Sequence, residues 1–356
     1  MKLIHCADVH LGSPMTTKMP NEKAKQRREE VLDAFRRMVD YAVENSVEAV
    51  LLAGDVFDNN QPNKKDKRAF FEILKLYPQL QFYYLRGNHD TEQSYDEALP
   101  NLHVFSEEWK YYRQGNVVIA GIEGTAANAG ALYATLKLNE SDFNVVMLHG
   151  DAVLGKTEHS QNGRIELGRL KGKQINYLAL GHIHYYHGGV LDERGQYAYA
   201  GCLEGRGFDE TGEKGFLLLD TDAPEKIKFV CSSKRTVNIC EVNATGLQSI
   251  EAAIVEAKKR CKSRPQDIVR FEFVGEVEFD HAFLKQTATE ALSGLYYYVE
   301  VKDRTVQKID AAQFEKEVSL AGEFLKLVYE DARLSESQKQ QIVDVGLKAL
   351  HGREVE

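Results

Sequence analysis

Residues 2–12 read KLIHCADVHLG and contain the pattern from which the fold is predicted. The apolar first part, residues 2–7, predicts a short buried strand, and the group Asp8-Val9-His10 follows where that strand ends. Alternate side chains of an extended segment share a face, so Asp8 and His10 point to the same side of the chain. An aspartate and a histidine side by side at a strand end are candidate metal ligands.

The same arrangement of apolar strand and polar cluster recurs four times along the chain. The apolar segments cover residues 47–53, 81–85, 144–148 and 177–180, and the clusters that follow them are Gly54–Asp58, Gly87–Asp90, His149-Gly150 and Gly181–His184. In open α/β sheets, the carboxyl ends of the strands form the edge at which ligands bind. The five clusters are therefore expected to meet in one site, where glycines let the backbone turn sharply and approach the metals.

Helical periodicity separates the first three strands, over roughly Asn21 to Asn45 and Lys65 to Leu76, with Asn21 as the expected N-cap. Strands that alternate with helices predict an α/β fold in which a sheet has helices on its faces. Fewer helices separate the later strands, which predicts that the sheet becomes mixed or splits into a sandwich. These later elements are strands at Val117–Ala120, Tyr197–Ala200 and Phe216–Asp220 and a helix at Gly130–Leu138.

A second, smaller α/β domain is predicted after residue 235. Its expected elements are a strand at Val237–Val242, a helix at Gly246–Arg260, a strand at Ile268–Phe273, a helix at Asp280–Ser293 and a strand at Tyr296–Val301. Beyond Asp310 only helical periodicity remains, in segments near Ala311–Tyr329 and Ser335–Leu350. The expected parts are therefore a domain of residues 1–230, a small domain of residues 235–305 and C-terminal helices within residues 311–356.

Composition favours a soluble, cytoplasmic protein. The chain has 43% hydrophobic and 28% charged residues, and it contains no apolar run near the roughly 18 residues that span a bilayer. Polar groups interrupt the N-terminus too soon for a signal peptide. The five cysteines form no C-x-x-C pair, which argues against a disulfide framework or a zinc ribbon. The net charge of −9 counts against a nucleic-acid binder, although bound cations and a local basic patch can attract DNA.

The residue types in the clusters match the needs of a two-metal site. A pair of divalent cations roughly 3.5–4 Å apart requires a bridging carboxylate and further carboxylate, amide and imidazole ligands. Each cluster alone has a structural alternative, as a turn or a helix cap, but five at successive strand ends favour the metal site. Mixed nitrogen and oxygen ligands suit manganese, iron, zinc or cobalt better than magnesium alone. The expected cofactor is therefore two divalent metal ions, with Mn²⁺ first among them.

The five clusters resemble those of the calcineurin-like metallophosphoesterase superfamily, over about residues 1–220. The resemblance implies a four-layered α/β/β/α sandwich with two metals at the strand ends. It also implies that His89 is the catalytic histidine, which protonates the leaving oxygen or stabilises the transition state, and that Asp90 orients it. One metal would be held by Asp8, His10, Asp55 and His184, and the other by Asp55, Asn88, His149 and His182, with Asp55 bridging.

Within the superfamily the chain is most similar to the SbcD branch, the bacterial version of the Mre-type DNA-repair nuclease. The similar segments are His5–Gly12, Gly54–Asp58, Gly201–Arg206 and Glu210–Gly215. This resemblance implies an exonuclease or endonuclease acting in DNA repair or recombination, a capping domain at residues 235–305 and a homodimer. It also implies C-terminal helices that clamp the coiled coil of an SMC-like ATPase of the SbcC type. The chain is short for the family, which predicts a reduced or different clamp.

Basic residues near the second cluster are candidate DNA contacts. The candidates are Lys64, Lys65, Lys67, Arg68 and, later in the chain, Arg206, which could face a phosphate. The stretch from Lys18 to Arg28, which includes Arg27, could line the same groove. The alternative for such a charge run is a solvated helix surface.

Four functions are compared on these observations. A DNA nuclease subunit is favoured by the predicted capping domain and the basic run, whereas a phosphodiesterase for cyclic nucleotides or nucleotide sugars is favoured by the acidic net charge. A protein phosphatase is disfavoured, because that branch is expected to have Arg-Gly after the second cluster and this chain has Asn59-Asn60. A catalytically silent scaffold is disfavoured, because all seven metal-ligand positions and His89 are filled.

Overall fold

The computed structural model describes residues 1–15, 19–58, 62–91, 97–125, 127–153, 163–308 and 320–350. The chain divides into two compact units, Met1–Val237 and Asn238–Glu356. The first unit contains the five polar clusters identified in the sequence, and it is built on two six-stranded sheets.

The first sheet contains the strands that end in the first three clusters. Its strands, numbered in chain order through the whole molecule, are β1 (Lys2–Cys6), β2 (Ala49–Ala53), β3 (Gln81–Leu85), β4 (Leu102–Val104), β13 (Gly215–Asp220) and β14 (Lys228–Cys231). They lie in the order β14-β13-β1-β2-β3-β4, with β1 to β4 parallel and β13 antiparallel to β1. Parallel pairing brings the carboxyl ends of β1, β2 and β3 to one edge of this sheet.

The second sheet contains the strands that end in the last two clusters. Its strands are β5 (Lys110–Gln114), β6 (Val117–Gly121), β7 (Phe143–His149), β10 (Tyr177–Gly181), β11 (His187–Val190) and β12 (Gln196–Tyr199). They lie in the order β11-β12-β10-β7-β6-β5, and β7 and β10 are parallel neighbours in which His149 pairs with Gly181. The short strands β8 (Asp151–Val153) and β9 (Arg164–Glu166) form a separate parallel pair.

Helices cover the outer faces of both sheets. They are α1 (Asn21–Glu44) and α2 (Lys64–Leu76) on the first sheet and α3 (Leu132–Thr135) and α4 (Leu167–Leu170) on the second. Alternate residues of each strand point to opposite faces. In β2, therefore, Leu52 packs in the core beneath α1 and α2, whereas Leu51 packs between the sheets in a core with Met147 and Tyr177. The predicted four-layered α/β/β/α sandwich is confirmed.

Several local predictions differ from the structure. Asn21 is the first residue of α1 and not its N-cap, because Pro20 occupies that position and no side chain caps the helix. The helix expected at Gly130–Leu138 is limited to the single turn α3. Strands β4, β5, β8, β9, β11 and β14 were not predicted, because they are short or exposed and lack the apolar run of a buried strand.

The second unit is a three-stranded sheet with two helices, followed by a helical pair. Its elements are β15 (Val237–Asn243), α5 (Ile250–Arg260), β16 (Ile268–Val277), α6 (Leu284–Leu292), β17 (Tyr298–Gln307), α7 (Leu320–Glu330) and α8 (Glu336–Leu350). The sheet order is β15-β16-β17, and α5 and α6 pack on the face that carries Phe271 and Phe273. The first part of the helix expected at Ala311–Tyr329 lies outside the described residues. Among the described helices, none is both long enough and apolar enough to cross a membrane.

Candidate metal centre

The ends of five strands bring the predicted ligands together. Asp8 and His10 follow β1, Asp55 follows β2, Asn88 follows β3, His149 ends β7, and His182 and His184 follow β10. The first two loops are joined by backbone hydrogen bonds, in which the Asp8 N–H donates to Gly54 O and the His10 N–H donates to Asp55 O, both at 3.0 Å. The backbone N–H of His182 donates to the Asp8 carboxylate at 2.9 Å, and this bond ties the second sheet to the first.

Four of the predicted ligands adopt a backbone conformation that most residues avoid. The φ angles of Asp8, His10, Asp55 and His182 are 51°, 52°, 51° and 107°. Positive φ costs conformational energy in residues with a Cβ and persists only where surrounding structure enforces it. Residues with such backbone strain concentrate at functional sites, and four of them together indicate a functional site at this edge of the two sheets.

Glycines allow the ligands to approach one another closely. A Cβ on Gly54, whose φ is +96°, would lie 2.1 Å from Nδ1 of His149. A Cβ on Gly87 would lie 2.1 Å from Oδ1 of Asp55. Any side chain at either position would therefore displace a predicted ligand.

One group of ligands surrounds a first candidate cation position. The ligand atoms of Asp8, His10 and His184 all lie within 4.8 Å of one another. The Nε2 atoms of His10 and His184 are 3.3 Å apart, and Oδ2 of Asp55 lies 4.0 Å from the His10 Nε2. Imidazole nitrogens and carboxylate oxygens that converge in this way are suited to bind one divalent cation.

A second group of ligands surrounds an adjacent candidate position. Nε2 of His149 lies 3.3 Å from Oδ2 of Asp55 and 3.1 Å from Oδ1 of Asn88. Nδ1 of His182 lies 3.2 Å from the same Asn88 oxygen. Because one oxygen of Asp55 faces both groups, its carboxylate lies where a ligand that bridges two cations would be required. The donors present therefore fit a pair of divalent cations.

Burial perturbs the charges of these ligands. Burial raises the pKa of the Asp8 carboxyl to about 6, and burial lowers the pKa of the His10 imidazole to about 4. Burial would also lower the pKa of His149, but the hydrogen bond and charge of Asp55 outweigh it and raise that pKa to about 9. The same partner holds the pKa of Asp55 well below its usual range despite burial. A bound cation favours a charged Asp8 and a neutral His149, which is the state that both need as ligands.

The histidine expected to act in catalysis lies beside the ligands, but Asp90 does not orient it. The ring of His89 lies edge-on to His10, with 5.1 Å between centroids, and its Nδ1 is 2.9 Å from the backbone oxygen of Asp58. The Asp90 carboxylate instead accepts backbone N–H groups of Val56, Phe57 and Gly87 at 3.0–3.2 Å. The predicted contact between Asp90 and the His89 ring is wrong, because Asp90 fastens the second ligand loop to the third.

Arg206 lies at the site, where carboxylates bind its guanidinium. Its guanidinium pairs with Asp58 and with Glu210, both at 2.6 Å, and its side chain is only 14% exposed. The predicted contact between Arg206 and a DNA phosphate is corrected accordingly, because these carboxylates already bind the guanidinium.

The basic run at the start of α2 is mostly exposed, unlike Arg206. Lys64, Lys65 and Arg68 are exposed and Lys67 is half-buried, and the first turn of α2 approaches Gly12 in the loop after His10. By contrast, Arg27 is fully buried on α1, where it pairs with Glu30 and Glu204. The suggestion that Arg27 lines a groove is therefore wrong, and Lys18 lies outside the described residues.

Two carboxylates at the site were not assigned from the sequence. Asp58 and Glu210 lie in segments that the sequence singled out, yet neither was given a role. In the structure, Oδ1 of Asp58 is 3.1 Å from Nδ1 of His10, and Oε1 of Glu210 is 2.7 Å from Nδ1 of His184. Each carboxylate therefore contacts the ring nitrogen of a candidate ligand that faces away from the cation position. The local signal of a tight loop around Glu210 was the pair Gly207 and Gly212.

Comparison with known proteins identifies the class to which this fold and site belong. A family model described as calcineurin-like phosphoesterase matches residues 1–186. The chain is 31% identical over 288 residues to the uncharacterized metallophosphoesterase YhaO of Bacillus subtilis, a match that covers 73% of this chain and 69% of the relative. It is also similar to DNA double-strand break repair proteins Mre11. That of Sulfolobus acidocaldarius is 26% identical, with 84% and 81% of the two chains covered. That of Saccharolobus solfataricus is 24% identical, with 87% and 84% covered.

The chain belongs to the calcineurin-like phosphoesterase family. This membership makes it a hydrolase of phosphate esters, as the sequence resemblance implied. Proteins named for DNA double-strand break repair, the Mre11 proteins, are among its relatives in this family.

Proposed function

We propose that the protein hydrolyses phosphodiester bonds of DNA with the help of two divalent cations. The observation that supports this most strongly is the convergence of seven ligand side chains and His89 at one edge of the two sheets. The similarity to Mre11 proteins over more than four fifths of each chain supports DNA as the substrate.

Two cation positions are proposed, and Asp55 faces both. Asp8, His10, Asp55 and His184 would hold one cation, and Asp55, Asn88, His149 and His182 would hold the other. When bound, the cations would lower the pKa of a water molecule and neutralise charge that develops on the phosphate. The mixed nitrogen and oxygen donors suit manganese, iron, zinc or cobalt better than magnesium alone, and we propose manganese as the first to test.

His89 is proposed to supply a proton to the leaving oxygen. Its Nδ1 can donate to the carbonyl oxygen of Asp58 at 2.9 Å, which fixes the ring plane and leaves Nε2 as the atom that exchanges a proton. The backbone N–H of His89 donates to Asp55 at 2.8 Å, so the backbone that carries the ring is held by the proposed bridging carboxylate. A proton held at Nε2 would be transferred to the departing 3′ or 5′ oxygen as its bond to phosphorus breaks.

The DNA backbone is proposed to lie along the start of α2. Lys64, Lys65 and Arg68 present exposed positive charge there, and Lys67 contributes from a half-buried position. A local patch of this kind offsets the net charge of −9, which alone would repel DNA.

The proposed role also includes partners. We propose that residues 235–305 act as a capping domain that positions DNA, and that residues 311–356 provide helices for a coiled-coil ATPase of the SbcC type. Exposed Leu320 and Leu327 on α7 and Val345 on α8 support a helix partner, since such faces dock on coiled coils. A homodimer is proposed from the resemblance to the SbcD branch. We also propose a cytoplasmic location, because the five cysteines are free and the cytoplasm keeps thiols reduced.

A small-molecule phosphodiesterase is the second candidate, and the acidic net charge is the observation that favours it. To distinguish the two, purified protein would be incubated with Mn²⁺ and end-labelled single- or double-stranded DNA, beside a panel of cyclic and simple phosphodiesters. The control would be His89→Ala, together with His103→Ala, a histidine of β4 whose ring bonds to Gln81 and stacks on Tyr83.

The nuclease proposal expects DNA to be degraded by the native chain and by His103→Ala, and to survive His89→Ala. Turnover of small diesters with DNA untouched would overturn it and leave a small-molecule phosphodiesterase. Failure to cleave any ester while Mn²⁺ binds would instead favour a silent scaffold.

A further inference from the structure

We propose that Arg206, Asp58 and Glu210 form a positioning layer that holds one of the two cation positions and leaves the other unaffected. The layer lies behind His10 and His184, and through the backbone oxygen of Asp58 it also contacts Nδ1 of His89 at 2.9 Å. The inference rests on the proposed two-cation centre, and the experiment below separates failure of the layer from failure of that centre.

The first step concerns the outer nitrogens of the two histidines. Nδ1 of His184 forms a hydrogen bond of 2.7 Å with Glu210 Oε1. A carboxylate bonded to one ring nitrogen fixes the tautomer, orients the ring and makes the other nitrogen a better ligand. Nδ1 of His10 lies 3.1 Å from Asp58 Oδ1 without the geometry of a hydrogen bond, so Asp58 acts on this ring through its charge. The Nε2 atoms of the two histidines are 3.3 Å apart.

The second step concerns the residue that joins the two carboxylates. Nη1 of Arg206 donates to Asp58 at 2.6 Å, and Nη2 donates to Glu210 at 2.6 Å. The backbone N–H of Arg206 also donates to Glu210 at 2.6 Å. A planar guanidinium fork can hold two carboxylates at fixed separation, whereas a lysine ammonium is a single point charge on a flexible stem.

The third step concerns how the layer itself is held. Glu210 is only 2% exposed in its side chain, so its charge depends on the bonds from Arg206 and His184. The loop before Arg206 is fixed to α1, because the buried Arg27 donates to Gly205 O. Lys214 donates from Nζ to His184 O at 2.9 Å and thereby holds the backbone of the same ligand.

The fourth step is the contrast with the other position. The outer nitrogen of His149 lies 2.9 Å from the backbone oxygen of Ala53, and His182 faces Asn88 through Nδ1 at 3.2 Å. A backbone carbonyl of β2 is part of the sheet and does not depend on Arg206. Removal of the layer is therefore expected to weaken only the position of Asp8, His10 and His184.

The test is a Mn²⁺ titration of the metal-free full chain, in which calorimetry measures binding and electron paramagnetic resonance measures the coupling of the bound ions. The native chain is expected to bind two Mn²⁺, whose spins couple because the ions are close. Arg206→Ala and Glu210→Ala are expected to lose about 10- to 100-fold in affinity at one of the two positions and to lose the coupled signal. Arg206→Lys is expected to lose the same affinity and the coupled signal. Glu210→Gln keeps the acceptor oxygen and is expected to retain part of the affinity.

The control is Arg113→Ala on β5, which removes a more exposed arginine–carboxylate pair, that with Asp142, and should keep both Mn²⁺. Native binding of two ions with unchanged binding by Arg206→Ala and Glu210→Ala would overturn the layer alone. Native binding of no Mn²⁺ would overturn the proposed centre together with the layer. If Arg206→Ala fails to fold, Glu210→Gln and Asp58→Asn decide, since both preserve volume; full retention of two tight sites in these variants would contradict the proposal.

Discussion

At the scale of single residues, the site is assembled from conformations that the sequence alone makes unfavourable. Asp8, His10, Asp55 and His182 have positive φ, and each lies in the loop that follows a paired strand. Strain of this kind must be offset by the surrounding fold. The two sandwiched sheets provide that support, because hydrogen bonds such as Asp8 N–H to Gly54 O connect the loops.

Gly54 offers a direct test of this close packing. Gly54→Ala places a Cβ at positive φ and 2.1 Å from His149 Nδ1, so the ring must move. We expect a loss of roughly 2–4 kcal/mol in the free energy of unfolding. We also expect at least about a 100-fold loss of esterase activity, because the ligand is misplaced.

Urea unfolding and Mn²⁺-dependent hydrolysis of a chromogenic phosphodiester would measure the two effects. Gly130→Ala is the matched control, because a Cβ there meets nothing within 4 Å and its φ is not in the left-handed range. A Gly54→Ala protein as stable and active as Gly130→Ala would show that this close approach is not required.

The protonation of His149 leads to a pH-dependent prediction. Asp55 raises its pKa to about 9, so the imidazole carries a proton at neutral pH in the metal-free chain. A cation must displace that proton, and its apparent affinity should therefore rise about tenfold per pH unit from pH 7 towards 9, and then level off. Calorimetry at pH 7 in two buffers of different ionisation enthalpy should detect about one proton released. An affinity that stays constant from pH 7 to 9 would refute this assignment.

At the scale of elements, the long buried strands and amphipathic helices could be predicted, whereas short or exposed elements could not. Strands β1, β2, β3, β7 and β10 are buried on both faces and therefore appear as continuous apolar runs. Strand β11 reads His-Gly-Gly-Val and is exposed along its length, so it owes its conformation to pairing with β12. No local sequence pattern predicts such a strand.

The site, too, could be predicted only in part. Candidate ligands could be chosen because they follow strands at short spacing, and parallel strands bring their ends together. The roles of Asp58, Glu210 and Arg206 depend on contacts between segments far apart in sequence, such as the 148 residues that separate Arg206 from Asp58. The orientation of Asp90 could not be predicted either, because a carboxylate next to a histidine in sequence can point to backbone amides instead.

Helix α1 provides a prediction about stability. Arg27 is fully buried and pairs with Glu30 and Glu204, whereas Arg36 on the same helix is about half exposed and pairs with Asp33. Removal of one partner from a buried ion network leaves uncompensated charge and costs about 3–5 kcal/mol. Arg27→Met should therefore lower the free energy of unfolding by about that amount, and Arg36→Met by less than about 1 kcal/mol. Equal effects in denaturant titrations would contradict the role given to the buried network.

At the scale of the whole molecule, an acidic protein is proposed to act on an acidic polymer. The net charge of −9 gives long-range repulsion, so DNA binding must depend on cations at the centre and on local positive charge. The exposed start of α2 lies close to the loop after β1, where Asp66 approaches Gly12.

Salt dependence of DNA binding tests this arrangement. Each phosphate contact adds about 0.9 to the slope of log K against log salt concentration for duplex DNA. Lys64→Glu combined with Lys65→Glu should weaken DNA binding and lower that slope by roughly 2, while hydrolysis of a small diester is unchanged. Lys226→Glu with Lys228→Glu is the charge-matched control at β14. Equal slopes for the two double variants would exclude α2 as the DNA contact.

The central claim is that two cations share Asp55 at the edge of the two sheets, and anomalous X-ray diffraction tests it most directly. Crystals of the full chain would be grown with Mn²⁺ and measured at the manganese edge. We expect two anomalous peaks roughly 3.5–4 Å apart, one beside His10 and His184, the other beside His149 and His182, and both in contact with Asp55. A single peak, or peaks that do not contact Asp55, would contradict the claim.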